Sequence, residues 1–309
     1  MTHPDISRQE FVRQCGIALA GSILLSNMHD KAASQVFRTI PSSGEKIPAI
    51  GLGSWITFDI GSSGKEEAPL REVLKLFAES GGRVVDSSPM YGRSEAVIGK
   101  LAAELNLTEK LWFATKVWTN GEKKGRDQID NSTRLFQKAP TLLQVHNLLD
   151  YSTHIKTLRQ LKEQGKIRYI GITHYVNSAH SEMARIIKTD KPDFIQIFVS
   201  IRNRVAENVL LPLAADNGVA VIINRPFETS DLFRAVGNAP LPPFAADWGI
   251  HSWAAFFLKY IVSNPHVTCV IPATSKPVHL KENMAACFDP LPDETTRKKM
   301  IDYFIQRTA

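Results

Sequence analysis

Thr141-Leu-Leu-Gln-Val-His146, the helical stretch Tyr151–Gln164 closed by Gly165, and Ile167-Arg-Tyr-Ile-Gly-Ile-Thr173 decide the fold. Two short apolar runs flank one helix, and each run is apolar on both faces. Such strand–helix–strand units imply parallel strands covered on both sides. The rhythm continues outward. Towards the N-terminus lie a helix over Asp127–Gln137, a strand over Leu111–Val117 and a helix over Ser94–Leu105, opened by a Ser94 cap before Glu95. Before them come a strand over Arg83–Asp86, a helix over Leu70–Ala78 ended by Ser80-Gly81-Gly82, and a strand over Ala49–Gly53. Val36–Pro41 and Lys46–Ile50 flank Ser42-Ser43-Gly44-Glu45 and read as a hairpin. Towards the C-terminus follow a helix over Ala179–Lys188, a strand over Asp193–Phe198, a helix over Val205–Asn217 and a strand over Val219–Asn224. A loop with Pro240, Pro242 and Pro243 leads to a helix over Ser252–Ser263, a strand over Val267–Ile271, a helix over Val278–Ala286 and a last helix from Asp293. Eight strands separated mostly by single helices predict an α/β fold, the (β/α)8 TIM barrel. The alternative, an open doubly wound sheet, usually has a glycine-rich first turn, and no Gly-x-Gly-x-x-Gly follows any strand.

Composition agrees. The 309 residues are 43% hydrophobic and 22% charged, which excludes a disordered or collagen-like chain. Three cysteines, Cys15, Cys269 and Cys287, make no disulfide framework, and Cys269 and Cys287 read as buried thiols. The net charge of +6 is spread along the chain, which argues against a nucleic-acid partner. No apolar run reaches the roughly 18 residues of a membrane span. His154, His174 and His180 lack metal-ligand spacing.

The N-terminus is a separate matter. Ser7-Arg-Gln-Glu-Phe-Val-Arg13 precedes the apolar run Gly16–Ser26. The pair resembles a twin-arginine export signal with Gln9 in place of the second arginine. Residues 1–33 are therefore expected to be a targeting segment and 34–309 the barrel. Periplasmic export is the expectation; cytoplasmic retention, or a helix packed on the domain, is the alternative.

In a (β/α)8 barrel, ionisable residues at the C-terminal strand ends face the active-site mouth. Asp86, Lys116 and His146 end three successive strands, and Tyr91 sits in the loop after the first of them. Taken singly, Asp86 caps a turn, Tyr91 is a loop aromatic, Lys116 snorkels and His146 is a core histidine. Together on adjacent strand ends, they point to chemistry.

These residues carry a resemblance. Asp86-Ser-Ser-Pro-Met-Tyr91-Gly-Arg-Ser-Glu95, Phe113-Ala-Thr-Lys116 and Leu142-Leu-Gln-Val-His146 resemble the Asp, Tyr, Lys and His motifs of the aldo-keto reductase family. Gly51-Leu-Gly-Ser-Trp55 and Ile271-Pro-Ala-Thr-Ser-Lys-Pro-Val-His-Leu-Lys-Glu-Asn283 resemble its first strand and its cofactor segment. The resemblance runs from about Val36 to the C-terminus. It implies NADPH-dependent reduction of an aldehyde or ketone, with Tyr91 as general acid, Lys116 and Asp86 as its tuning pair and His146 orienting the carbonyl in its neutral form. A free phenol titrates near ~10 and is a sluggish acid at neutral pH. A nearby ammonium should lower that value.

The resemblance also implies NADP(H) contacts at Trp55, Thr173, His174, Gln196, Asn224, Arg225, Thr274, Lys276, His279, Glu282 and Asn283. Several depart from the family's pattern. Ala273, Thr274 and His279 stand where it has Lys, Ser and Arg; Thr173-His174 replaces Ser-Asn, and Asn224 replaces a stacking tyrosine. Arg225 is expected either on the pyrophosphate or in a salt bridge at the rim. Trp55, Trp118, Phe58 and Phe198 are expected to line a pocket for a small-molecule carbonyl substrate. The chain is expected to be a monomer. Oxidation of a sugar or alcohol, or a slow cofactor-sensing barrel, are the alternatives.

Overall fold

The hairpin comes first: β1 (Phe37–Thr39) and β2 (Lys46–Pro48) pair antiparallel, from Phe37 opposite Pro48 to Thr39 opposite Lys46. The computed structural model describes residues 33–61 and 64–308, and from Gln35 onward they belong to one compact unit, Gln35–Ala309. Cys15, Ser7–Arg13 and Gly16–Ser26 lie outside the described residues.

Eight parallel strands follow: β3 (Leu52–Gly53), β4 (Val84–Asp86), β5 (Trp112–Val117), β6 (Leu142–His146), β7 (Tyr169–Thr173), β8 (Phe194–Phe198), β9 (Ala220–Asn224) and β10 (Cys269–Val270). Each pairs with its predecessor, so every connection is a one-strand step. Parallel bridges from Ile50 to Val270 and from Gly53 to Ala273 join first to last and close the ring. Glycine makes that closure possible. A Cβ at Gly53 would stand 2.7 Å from the Ile271 carbonyl oxygen, and one at Gly51 would stand 2.8 Å from that of Val84.

The helices are α1 (Gly64–Glu79), α2 (Ser94–Glu104), α3 (Glu122–Phe136), α4 (Tyr151–Glu163), α5 (His180–Asp190), α6 (Leu210–Asp216), α7 (Asp231–Val236), α8 (Trp253–Val262), α9 (Pro277–Ala285) and α10 (Glu294–Thr308). Strand side chains alternate between an outer layer under the helices and the barrel interior. Val85, Phe113, Leu143, Ile170, Ile195 and Val221 belong to the outer core. Val84, Trp112, Leu142, Tyr169, Phe194 and Ala220 form a separate inner cluster at the strand starts. Further along the strands the interior becomes polar: Asp86, Lys116, Gln144, His146, Thr173 and Gln196 are all buried. The expectation of strands apolar on both faces thus holds for the floor and fails at the mouth.

Three local differences from the sequence reading have physical causes. Ser94 is not a cap: Arg93 holds the N-cap position without a side-chain bond, and the Ser94 hydroxyl donates to the Ser54 carbonyl at 3.4 Å. The helix expected over Val205–Asn217 breaks at Val209 into a 3-10 turn (Val205–Asn208) and α6. Pro212 explains the break, because it lacks the N–H that would bond back to Asn208. Third, α3 begins at Glu122, earlier than Asp127, on a polar first turn without apolar period. Ion pairs of 2.9 Å join Arg126 to Glu122 and Lys123 to Asp127 there. The proline loop contains a 3-10 turn over Pro243–Trp248, and α7 precedes it.

Candidate active site

The mouth is built around one buried ion pair. Lys116, fully enclosed near the end of β5, donates to Asp86 Oδ2 at 2.7 Å and to the Ser87 carbonyl at 2.6 Å. The other Asp86 oxygen accepts from Gln196 Nε2 at 2.8 Å, and Gln196 Oε1 accepts from the Thr173 hydroxyl at 2.8 Å. A hydrogen-bonded chain thus runs across the ring from β7 through β8 to β4 and β5. Gln196 and Thr173, read from sequence as cofactor contacts, also hold the carboxylate that holds the lysine. Burial pushes the Lys116 pKa down. Asp86, Tyr91 and Glu95 together outweigh that, so the ammonium titrates above the ordinary lysine value.

Tyr91 lies in the loop after β4, with the Lys116 ammonium 5.1 Å from its ring centre. Burial raises the phenol pKa and Lys116 lowers it, while Asp86 raises it again; the balance lies above the ordinary 10.0. This corrects the expectation of a lowered value. Lys116 acts in the expected direction, but burial outweighs it. His146 stands edge-on to Tyr91, with ring centres 6.2 Å apart, and its Nδ1 is 3.2 Å from the Ser88 hydroxyl. Burial, then Lys116 and His174, hold its pKa down at about 3. The ring is therefore neutral at physiological pH. If Ser88 donates to Nδ1, the ring proton lies on Nε2, where it serves as a donor.

Ser87 and Ser88, which the sequence reading passed over, join the site in different ways: Ser87 offers its backbone carbonyl to Lys116 while its buried hydroxyl has no partner, and Ser88 sets its hydroxyl against His146 Nδ1. Only Ser88 carried a side-chain signal, a hydroxyl two residues after Asp86. Glu95 has a different place: it lies outside the ring, accepting from Thr115 at 2.5 Å and Ser132 at 3.0 Å. It ties the start of α2, just after Tyr91, to β5 and α3. Burial raises its pKa, against the hydrogen bonds from Thr115 and Ser132 and the charge of Lys116.

The other side of the mouth holds the expected cofactor residues. Arg225 follows β9 with a left-handed backbone (φ 50°), its guanidinium 5.3 Å from the Phe198 ring centre and 5.5 Å from that of Tyr175. Among the described residues it forms no salt bridge, so the rim salt bridge is not what holds it. Its buried Nε and the neighbouring buried Asn224 Oδ1 have no hydrogen-bond partner. Thr274 Oγ1 accepts from the Lys276 N–H at 3.1 Å, and Lys276 is the N-cap of α9. Lys276 and His279 are exposed, Glu282 is half-buried and Asn283 is buried. Unspent donors at Arg225, a helix N-terminus and exposed basic side chains fit a dinucleotide with phosphates. Trp55 and Trp118 are exposed on the loops after β3 and β5. Phe58, expected in the pocket, is fully buried in the outer core, and Phe198 lies under Arg225.

The comparisons agree with this geometry. The family model described as "Aldo/keto reductase family" matches residues 49–299. Aldo-keto reductase YhdN of Bacillus subtilis is 24% identical over 60% of this chain and 60% of its own, so the match spans only about three-fifths of that relative. L-galactose dehydrogenase of Arabidopsis thaliana is 26% identical over 81% of this chain and 87% of its own. An aldo-keto reductase from Klebsiella pneumoniae, solved in complex with NADPH, superposes with a TM-score of 0.67 at 19% identity, over 87% of this chain and 95% of that one. At that identity the structural likeness concerns the fold alone; the family assignment rests on the sequence model, which spans strands and site together. With the Asp86, Tyr91, Lys116 and His146 cluster assembled inside that span, the chain belongs to the aldo/keto reductase family of NAD(P)-dependent oxidoreductases.

Proposed function

We propose that the protein reduces an aldehyde or ketone to an alcohol with NADPH, and that Tyr91 delivers the proton. The observation that carries this is the enclosed Asp86–Lys116 pair, with its ammonium 5.1 Å from the Tyr91 ring. When bound, the dinucleotide supplies the hydride. Arg225, Thr274, Lys276, His279, Glu282 and Asn283 would hold it on one side of the mouth, with Thr173, His174, Gln196, Asn224 and Trp55 around its reactive end.

The chain's own residues divide the remaining work. Negative charge grows on the carbonyl oxygen as the carbon is reduced. Tyr91 stays protonated at neutral pH, so the proton is in place before the reaction begins. As that proton leaves, Lys116 stabilises the phenolate. That attraction is felt mainly in the transition state, where it counts for rate. Asp86 keeps Lys116 charged and aimed, and Gln196 keeps Asp86 aimed. Neutral His146 donates a hydrogen bond to the same oxygen without competing as an acid. The test is NADPH absorbance with a panel of aldehydes, quinones and sugars, alongside Tyr91→Phe. Wild-type turnover in that variant overturns the assignment. The second reading, oxidation of a sugar or alcohol, is favoured by the Arabidopsis relative, which is named as an L-galactose dehydrogenase. The same panel run with NADP+ and alcohols distinguishes the two.

The N-terminal segment is proposed to direct export and to add nothing to the barrel. A chain lacking Met1–Ala33 should keep its melting temperature and activity, and cell fractionation should find a shortened periplasmic form.

A further inference from the structure

Ser88 lies two residues after Asp86 and three before Tyr91, and it is fully buried. Its carbonyl accepts from the Tyr91 N–H at 2.9 Å, which closes a turn over Pro89 and Met90. Proline suits the second position of such a turn, because its φ is preset. The Ser88 Oγ accepts from the Met90 N–H at 3.3 Å and lies 3.2 Å from His146 Nδ1. A serine hydroxyl bonded to the N–H two residues on is a common turn device. The third partner is not: His146 ends β6, 58 residues further along the chain.

The donors and acceptors of these three groups balance in only one way. The Met90 N–H can only donate, so it takes one lone pair of Oγ. The hydroxyl proton then needs an acceptor, and His146 Nδ1 is the one that the described residues supply. Were Nδ1 to carry the ring proton, two donors would converge on Oγ and the hydroxyl proton would be buried without a partner, which is costly. Ser88 therefore donates and Nδ1 accepts. The proton of the neutral ring lies on Nε2, which bonds no described residue. We propose that Ser88 is a positioning residue: it fixes His146 as the Nε2–H tautomer and, through the turn it closes, sets Tyr91 edge-on to that ring, with centres 6.2 Å apart. One residue that touches no substrate thus assembles both donors to the carbonyl oxygen. The tautomer stands on the hydrogen bonds alone; its effect on rate rests on the proposed reductase reading.

The test is nitrogen-15 NMR of the whole chain with labelled histidine near neutral pH, which tells a protonated ring nitrogen from a bare one. His146→Gln assigns the signals. The wild type should show a bare Nδ1 and a protonated Nε2. In Ser88→Ala, Nδ1 loses its donor and both neutral tautomers should be populated. Ser88→Thr keeps a hydroxyl on the same carbon and should restore the single tautomer. In kinetics, Ser88→Ala should lower kcat about three- to tenfold, the worth of one neutral hydrogen bond, with NADPH affinity unchanged, and Ser88→Thr should recover most of the loss. A protonated Nδ1 in the wild type overturns the proposal, and that spectrum decides even where Ser88→Ala does not fold. An unchanged tautomer in Ser88→Ala overturns it too, whatever kcat does. A mixed tautomer with wild-type kcat in an active reductase overturns the positioning role. A mixed tautomer in Ser88→Ala of a protein that turns over no carbonyl keeps the Ser88 assignment and removes the reductase reading alone.

Discussion

The two ends of the barrel use the same residue types in opposite ways. At the floor, most polar groups satisfy one another, although Arg38 of β1, bonded to the Val262 carbonyl through its terminal nitrogen, leaves its buried Nε without a partner. Arg83 and Arg168 both reach Glu45, at 3.7 and 2.7 Å, and both lie over the Trp112 ring, at 5.1 and 5.5 Å. A groove of about 610 Å³ opens there, but Lys138 is paired with Glu109 at 3.2 Å and Lys162 with Asp193 at 2.6 Å. At the mouth, polar groups are left unspent: Ser54, Ser87, Asn224 and Arg225 each have a buried atom without a partner. Backbone strain divides the same way. Ile56, Asn147, Leu148, Arg225, Glu228, Thr229 and Ser230 hold positive φ in loops after strands, whereas Gln137 and Lys191 do so as ordinary helix C-caps. A floor that satisfies itself contributes stability; a mouth that does not is shaped for a ligand.

Substitutions should separate the two ends. The largest effect is expected at the mouth. Tyr91→Phe should lose about 10² to 10⁴-fold in turnover with cofactor affinity nearly unchanged, and Lys116→Met should lose at least as much. Both are read by steady-state kinetics beside a nucleotide titration. At the floor, Trp112→Ala should do the reverse. Large-to-small truncation of a buried tryptophan costs about 3 to 5 kcal/mol. The melting temperature should fall by about 5 to 15 °C, while turnover of the folded fraction stays close to wild type. Loss of turnover without loss of stability would break the division.

Smaller effects sharpen it. Charge-assisted contact with a phosphate is worth about 1.5 to 3 kcal/mol, so Lys276→Ala should weaken NADPH by roughly ten-fold or more and leave NADH nearly unchanged. Equal losses would place the 2′-phosphate elsewhere. At neutral pH the least visible change is in pH response. His146 titrates at about 3 when folded, against 6.5 for a free ring. Between those values the unfolded chain binds a proton that the native state refuses, so this residue lowers stability as pH falls below 6.5 and its contribution levels off near 3. Its ring resonance should stay unshifted from about pH 8 to about pH 4, and His146→Gln should lessen the loss of stability in acid. The Tyr91 phenol titrates above 10.0, so the reduction rate should show no alkaline limb near neutrality.

The legibility of the sequence follows the same division. Strands read well because their outer faces pack under helices, and that packing demands apolar residues whatever lies inside. Asp86, Lys116 and His146 were readable because each ends an apolar run. Helix starts read poorly. The first turn of α3 is solvated and carries no apolar period, and Ser94 has a cap's chemistry but bonds instead to a carbonyl on another loop, which only the folded chain brings near.

The order of the strands and of most helices, the barrel they make and the ionisable residues gathered at its mouth were legible in the sequence alone. These follow from periodicity and from residue types at or just after strand ends, both local properties. The tertiary structure decided what those groups do to one another. The direction of the Tyr91 shift depends on burial against Lys116, two opposed effects whose balance needs a depth and a distance. The chain from Thr173 through Gln196 to Asp86 joins residues remote in sequence, because ring closure sets β7 and β8 opposite β4. Exposure is decided there as well: of two aromatic residues three positions apart, Phe58 is fully buried and Trp55 stands 45% exposed.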